Sequence, residues 1–323
     1  MVVTLKDVAR ASGVHTSTVS RAFSASHLVN PETRIRVLAV ANELGYRPNR
    51  AARALSTRRT GNLGVIVADI ANPFFPPLIK AAQDQARARD HHVFIADTDE
   101  RIDVEEEAVR SMVGQVDGLI LVSPRLSDRR IRELADEVPL VVVNRRLRRL
   151  PCVLMDVGEG IRLAVGRLAD LGHREIATVL GPPASWTGRA AVRAAEETAR
   201  EHGVRTYRVG PHQPTEEGGA AAFDAVLDLG VTAVLAHNDL MALGLLRAAR
   251  ERGVAVPERL SVVGTDDTLT ARHTRPALTT VAMPVDAAGR AAVDLLLRGA
   301  DPEVVTLGTR PIERDSTGPA PRG

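Results

Sequence analysis

The sequence predicts a small all-α helix-turn-helix head followed by an α/β body of two lobes with doubly wound parallel sheets. Three observations predict it. Charge divides the chain: residues 1–60 hold ten Lys and Arg against three Asp and Glu, a balance of +7, and the other 263 residues hold 32 against 37. Helix start and stop signals punctuate the first 46 residues. From residue 61 onward, short apolar runs alternate with amphipathic stretches. Composition sets the bounds. At 323 residues, 44% apolar and 25% charged, the chain suits about two globular domains. Aromatics are only 2%, so the core must be built from Ala, Val and Leu. The single cysteine, Cys152, excludes an internal disulfide framework and a cysteine-built zinc site. No run of about 18 apolar residues is present, and the N-terminus lacks a basic-then-apolar leader. The expected location is the cytoplasm.

In the head, Thr4-Leu5-Lys6-Asp7 fits a capping box, with Leu5, Val8 and Ala9 on one helical face. Gly13 supplies the left-handed stop and Val14 a buried turn residue. Thr16 to Phe23 reads as a second helix. Asn30-Pro31-Glu32 opens a third, which Ile35, Leu38, Asn42 and Leu44 continue and Gly45 closes. Two short helices joined by a tight glycine turn and backed by a third form the helix-turn-helix plan. Its second helix enters the major groove. There, Thr16, Ser17 and Arg21 lie on or near the outward face, arginine offering two donors to guanine. Thr18 and Ser20 read as phosphate-facing or packing residues. A structural three-helix bundle with a solvated basic face is the competing reading.

The segment Arg47-Pro48-Asn49-Arg50-Ala51-Ala52-Arg53-Ala54-Leu55 follows, within a hinge and linker over 47–60. Pro48 suits a helix start. Leu55 among arginines has two readings: an inward-packed leucine, or a wedge entering between base pairs from the minor groove. So short a helix is marginal alone, so DNA would fold it. In the body, strands are predicted at Leu63–Ala68, His92–Ala96, Gly118–Val122 and Leu140–Val143. Later strands are expected near Ile176–Leu180, Val204–Val209, Ala233–Ala236 and Val262–Gly264, with helices between.

These residues make the chain similar to the lactose-repressor (LacI) family of bacterial transcription regulators. The carrying motifs are TLKDVARASGV (4–14), STVSR (17–21), NPETR (30–34), LGYRPNRAARAL (44–55) and TGNLGVIVADIANPFF (60–75). DGLIL (117–121), LGHREIA (171–177), HNDLMALG (237–244), PERLSVVGTDD (257–267), PALTTV (276–281) and ERDST (313–317) extend the resemblance to residue 317. It implies a periplasmic-binding-protein-like body over 61–317. The expected N-lobe is about 61–155 plus 284–304, and the C-lobe about 156–281 plus 305–317. Residues 318–323 are expected to be a disordered tail. The resemblance also implies a homodimer on a pseudo-palindromic double-stranded DNA operator, nucleoid-associated. Thr4, Asn30, Arg34, Tyr46, Asn49, Ala52 and Arg53 would join the DNA contacts, and Leu55 would kink the operator centre. No repeat of coiled-coil type follows residue 305, which favours a dimer over a tetramer.

A cleft between lobes suits a small ligand at the strand ends. The resemblance places Asp69, Phe74, Phe75, Ser123, Asn144, Trp186, Arg189, Asn238 and Asp266 there as ligand-binding candidates. Amides, acids and aromatics suit sugars or nucleosides, and a sugar-like effector is expected. Asn238 and Asp266 equally suit local helix capping. Some positions depart from the family. The usual ligand-pairing arginine falls on Ala191, and the glycine-aromatic pair after it on Ala194-Ala195. Gln213-Pro214 and Thr265 stand where aromatics are frequent, and His15 stands where serine is common. Arg189 and Arg193 lie out of register as substitutes for the arginine. An effector-free or partner-controlled regulator therefore stays as the alternative, with a solute-binding protein behind it. No cofactor, catalytic residue or metal is predicted. Gly158-Glu159-Gly160 lacks a third glycine and His91-His92 lacks further ligands. No nucleophile elbow or P-loop occurs, and Cys152 reads as an inert thiol.

Overall fold

The computed structural model describes residues 3–24, 28–47, 59–299 and 302–322. The chain divides into two compact units, Met1–Thr60 and Gly61–Gly323. The predicted hinge contacts Asn49, Ala52, Arg53 and Leu55 lie outside the described residues.

The head contains α1 (Leu5–Ser12), α2 (Thr16–Ser24) and α3 (Pro31–Glu43). Thr4 donates its amide and hydroxyl to the Asp7 carboxylate, at 3.0 and 2.7 Å, which ties down the start of α1. Gly13, at φ +69°, ends it. Asn30 Oδ1 accepts from the Glu32 amide at 2.9 Å, so asparagine caps α3 and Pro31 occupies its first turn. The residue before α2 is His15, and its ring does the capping. Nδ1 lies 3.3 Å from the Ser17 amide and 2.9 Å from Ser17 Oγ, and the His15 carbonyl takes the first helical bonds from Thr18 and Val19. Histidine thus supplies the side-chain acceptor at the start of this helix. Val8, Val19, Val37 and Ala41 form the small core, with the Phe23 and Tyr46 rings 5.8 Å apart beside it. One detail differs from the sequence reading. On α3 the packed stripe is Val37 and Ala41, spaced i, i+4, and Ile35 is left 69% exposed.

The body holds two six-stranded sheets. The first contains β1 (Asn62–Val67), β2 (His92–Asp97), β3 (Leu119–Val122), β4 (Leu140–Val143), β5 (Cys152–Met155) and β11 (Val304–Leu307). Its order is β11-β5-β4-β3-β1-β2, and every pairing is parallel. The second contains β6 (Glu175–Val179), β7 (Arg205–Val209), β8 (Ala233–Ala236), β9 (Ser261–Asp266), β10 (Thr279–Ala282) and β12 (Arg310–Ile312). Its order is β12-β10-β9-β8-β6-β7, parallel except at the β10–β12 edge. The central strands are buried on both faces, so they read as continuous apolar runs. Helices cover both faces: α4 (Phe75–Arg87), α5 (Ile102–Met112), α6 (Asp128–Ala135) and α12 (Val285–Arg298) on the first lobe. The second carries α7 (Val157–Asp170), α8 (Trp186–Glu201), α9 (Glu216–Asp228), α10 (Asp239–Glu251) and α11 (Leu269–His273).

Two expectations are corrected. The sequence boundary puts residues 305–307 in the C-lobe, but β11 pairs with β5, Val305 opposite Val153, so the N-lobe keeps the chain to Leu307. An apolar edge partner for β5 outweighs the nominal boundary. The stretch after residue 317 is held rather than loose. The Gly318 amide donates to Ser261 Oγ at 3.1 Å, its carbonyl lies 3.1 Å from His173 Nε2, and Ala320 donates to the Leu171 carbonyl at 2.9 Å.

Helices α9 and α10 approach backbone to backbone. A Cβ on Gly219 would strike the Met241 carbonyl, and one on Gly244 would strike the Glu216 carbonyl. Alanine normally favours a helix by about 1 kcal/mol over glycine. Here overpacking against rigid backbone should dominate. Gly244→Ala is therefore expected to destabilise the body by about 1–3 kcal/mol in denaturant titration, and an unchanged midpoint would contradict the close packing.

Candidate functional site

The head presents its polar residues on one surface of α2. Ser17, Ser20 and Arg21 are exposed, Thr16 and Thr18 are half-buried, and Val19 and Ala22 pack inward. Thr4, Asn30 and Arg34 are exposed as well. Thr4 and Asn30 spend side-chain hydrogen-bonding capacity on capping, whereas Arg21 and Arg34 make no ion pair among the described residues. Tyr46 packs its ring on Phe23. A cationic guanidinium and hydroxyls thus sit along an exposed helix whose apolar face anchors it.

The body carries a cleft between its lobes. Phe74, Phe75, Ser123 and Asn144 line it from the N-lobe, and Asn238 and Asp266 from the C-lobe. Asp69, Trp186 and Arg189 lie elsewhere. Asp69 turns its carboxylate onto the Ala71 amide at 2.8 Å. Trp186 lines a separate groove with Arg146 and Glu197. Arg189 donates to the Pro183 carbonyl at 2.6 Å on the exposed side of α8. Of the six brought together, Asn238 is committed to capping α10: Oδ1 accepts from Met241 and Nδ2 donates to the Pro214 carbonyl, both at 2.9 Å. Phe74 and Phe75 meet edge to face at 5.0 Å and are themselves almost wholly buried.

Asn144 is the most informative residue of the cleft. It is 3% exposed, sits at φ +63° at the end of β4, and donates from Nδ2 to Ser123 Oγ at 3.2 Å. Its carbonyl accepts from Thr187 Oγ1 at 3.1 Å, a bond across the lobes. Its Oδ1 has no partner. A buried amide oxygen without a donor is costly, and a ligand hydroxyl would satisfy it. Ser123 shares the strained left-handed conformation, at φ +52°.

Three further groups escaped sequence reasoning. Arg125 lines the cleft, bound to Glu100 through Nε and a terminal nitrogen at 2.5 and 2.8 Å and to the Ser123 carbonyl at 2.8 Å. It places a cation in the cleft although residue 191 is alanine. His237 lines the cleft from the C-lobe. Its ring rests against Gly181 and Gly188, where any Cβ would collide with it. Burial, with a smaller effect from the Arg125 charge, lowers its pKa to about 4, so the imidazole is neutral at pH 7. Behind it, Asp239 accepts from Thr280 Oγ1 at 2.6 Å and from the Thr268 amide and hydroxyl at 2.8 and 3.0 Å. Burial nonetheless lifts Asp239 to about 6. Burial, then the Asp239 charge, pushes Asp266 well above the ordinary carboxylate range. The signals that could have found them are Arg125 two residues after the strand-end Ser123 and the HNDLMALG motif, which contains His237 and Asp239.

A helix-turn-helix head joined to a two-lobed, cleft-bearing α/β body defines a class of ligand-responsive DNA regulators. Comparison with known proteins assigns the family. Residues 4–49 match the model of bacterial regulatory proteins of the lacI family, and residues 165–317 that of a periplasmic binding protein-like domain. The chain is 35% identical over 306 residues to the HTH-type transcriptional regulator GalS of Salmonella typhimurium, covering 92% of this chain and 90% of that one. It is 34% identical to catabolite control protein A of Priestia megaterium, covering 94% and 95%. Among solved structures, the lac repressor dimer bound to operator and the anti-inducer ONPF superposes with a TM-score of 0.87 at 28% identity, over 98% of this chain and 100% of that one. A complex of the regulator CelR with cellobiose gives 0.73 at 31%, over 97% and 99%. The chain belongs to the LacI family of transcriptional regulators. The relatives named are regulators and not enzymes.

A pH dependence follows from His237. Its folded pKa is depressed below the unfolded value of 6.5, so the unfolded chain binds the extra proton, and stability falls as pH drops from 6.5 towards 4. Asp239, raised from 3.8 to about 6, acts in the opposite sense over much of that window. Replacing the histidine leaves the second effect alone. His237→Gln is therefore expected to gain stability over the wild type by up to about 3 kcal/mol between pH 6.5 and 4. Parallel stability curves for the two proteins would contradict a buried neutral imidazole.

Proposed function

We propose that the chain is a repressor that binds a pseudo-palindromic operator as a homodimer and responds to a small, sugar-like ligand in the inter-lobe cleft. The observation that carries the DNA reading is the exposed face of α2, with Ser17 and Arg21 free of the core, on a head of net charge +7. Thr16, Ser17 and Arg21 read base edges. Thr4, Thr18, Ser20, Asn30, Arg34 and Tyr46 hold the backbone and set the register. Asn49, Ala52, Arg53 and Leu55 serve the minor groove, with Leu55 as the wedge. The similarity to an operator-bound lac repressor dimer supports both the partner and the two-fold symmetry. Ile70, Phe94 and Ile102 are 44%, 45% and 50% exposed in and beside the edge strand β2, and a dimer would cover them.

In the cleft, the Asn144 oxygen offers an unused acceptor and the Asp266 carboxyl a second polar group, with the Arg125 guanidinium, paired to Glu100, in the same wall. That set suits hydroxyls. The CelR–cellobiose complex supports a carbohydrate class. Ala191 favours a second reading, in which the same DNA-binding regulator has no small effector or answers to a partner protein. The function is non-enzymatic in both.

In vitro selection with the full-length protein tests the DNA reading. A dyad-symmetric consensus is expected. On that sequence Arg21→Ala should cost about 1–3 kcal/mol and relax one base position. Arg34→Ala should weaken all sequences alike and reduce the salt slope by about 1. Selection that enriches no symmetric sequence would sink the proposal. Sedimentation of a Phe94→Asp, Ile102→Asp double variant should show a monomer; a persistent dimer would move the interface elsewhere.

A further inference from the structure

Beside the cleft lies a chamber of about 340 Å³, between α8 and the C-terminal ends of the second sheet's strands. Chamber and cleft share Gly188, Ala191, His237 and Thr265, so the two spaces meet along one wall. Ile161, Val179, Val192 and Leu235 make most of the remaining wall apolar. The space exists because Ala191 and Ala195 present only methyl groups beneath the helix. Protein interiors keep few voids larger than a water molecule. About 150 Å³ of apolar space is enough for a benzene-sized guest.

Two polar groups inside the chamber await partners. Thr178 is only 8% exposed, and its buried hydroxyl has no hydrogen-bond partner among the described residues. The His237 ring, seated against Gly181 and Gly188, makes no hydrogen bond among the described residues. Its desolvated imidazole is neutral. Three arginines stand at the exposed rim: Arg208 grips Glu196 at 2.6 and 2.8 Å, Arg189 donates to the Pro183 carbonyl, and Arg193 lies beside them, so charge is confined to the mouth. The wall therefore favours an uncharged, largely apolar guest with one hydrogen-bonding atom.

We propose that this chamber is a second compartment of the ligand site, taking an aryl or short alkyl group of a neutral ligand whose hydroxylated end lies in the cleft. This rests on the reading of the cleft as the effector site. Such a ligand joins two recognitions in one molecule. The hydroxylated end satisfies Asn144, and the apolar end fills space that would otherwise hold poorly bonded water. The chamber also abuts α8, the helix that begins beside the inter-lobe bond from Thr187 to Asn144.

The test uses the full-length protein, with phenol as the probe of the chamber and a panel of hexoses, each with its phenyl glycoside, as probes of both compartments. Phenol is expected to raise the unfolding temperature saturably. Ala195→Phe and Val192→Phe, which fill the chamber from α8, should abolish that rise. For any hexose that binds, the phenyl glycoside should bind at least tenfold tighter to the wild type, and the two variants should erase the gain. Two variants are used so that one which fails to fold does not decide the matter. If phenol fails to bind saturably, or binds both folded variants as it binds the wild type, the chamber proposal is overturned. Hexose binding alongside that failure leaves the cleft reading standing. Phenol binding lost in the variants, with no hexose or glycoside bound, supports the chamber and removes the sugar-like reading of the cleft.

Discussion

The body depends on one small junction, where the chain crosses between its lobes. Thr309, almost wholly buried, donates from Oγ1 to the Asp156 carbonyl at 2.5 Å and accepts there from the Gly160 amide at 2.9 Å. Its own amide donates to Glu159 at 3.1 Å. Gly160 allows this meeting, because a Cβ there would run into both Val281 and Thr309. Segments after β5, at the end of β10 and after β11 are thereby gathered at one point. The junction is satisfied by hydrogen bonds and filled by one small side chain. Hinge closure around a ligand is absorbed by a few such residues at element ends.

Opposite that junction, the strand ends form the two rims of the cleft. Parallel sheets send all their C-terminal loops to one edge, which is why ligands collect there. The rims are strained in a patterned way: Ser123, Asn144 and Asp266 are non-glycine residues at positive φ, all at the ends of strands. Such conformations persist only where surrounding structure over-determines them. The unpartnered Asn144 oxygen and the Asp266 carboxyl, held above its ordinary range by burial, add electrostatic cost in the same place. A ligand that satisfies these groups would gain from relief of that cost, and would gain differently in open and closed lobes. Differential affinity of this kind is what moves a two-state equilibrium.

Much of this was legible in the sequence, and the exceptions have physical causes. Helix punctuation such as Gly13, Asn30 and Gly45 is local chemistry, so it can be read without a fold. The doubly wound body follows from apolar runs that need burial on both faces. Residues 305–307 were misplaced because a lobe boundary depends on which neighbour a strand finds, and Val305 finds Val153. The resemblance places Trp186 in the cleft, yet it faces another groove, because one residue along a helix turns a side chain by about 100°. Arg125 and His237 were missed since their roles arise from tertiary partners: Glu100 for the first, and the bare backbones of Gly181 and Gly188 for the second. His15 illustrates the same limit at short range: that its ring would accept from the Ser17 amide is set by the geometry of the turn.

The central claim is that occupancy of the cleft is felt by the DNA-binding head. The most direct measurement is a titration of the full-length protein on its selected operator, by fluorescence anisotropy, with and without the hydroxylated compound that most raises its unfolding temperature. A change in apparent affinity of roughly 5- to 150-fold is expected, the ordinary range of allosteric coupling. A compound that stabilises the body yet leaves operator affinity unchanged would contradict the claim.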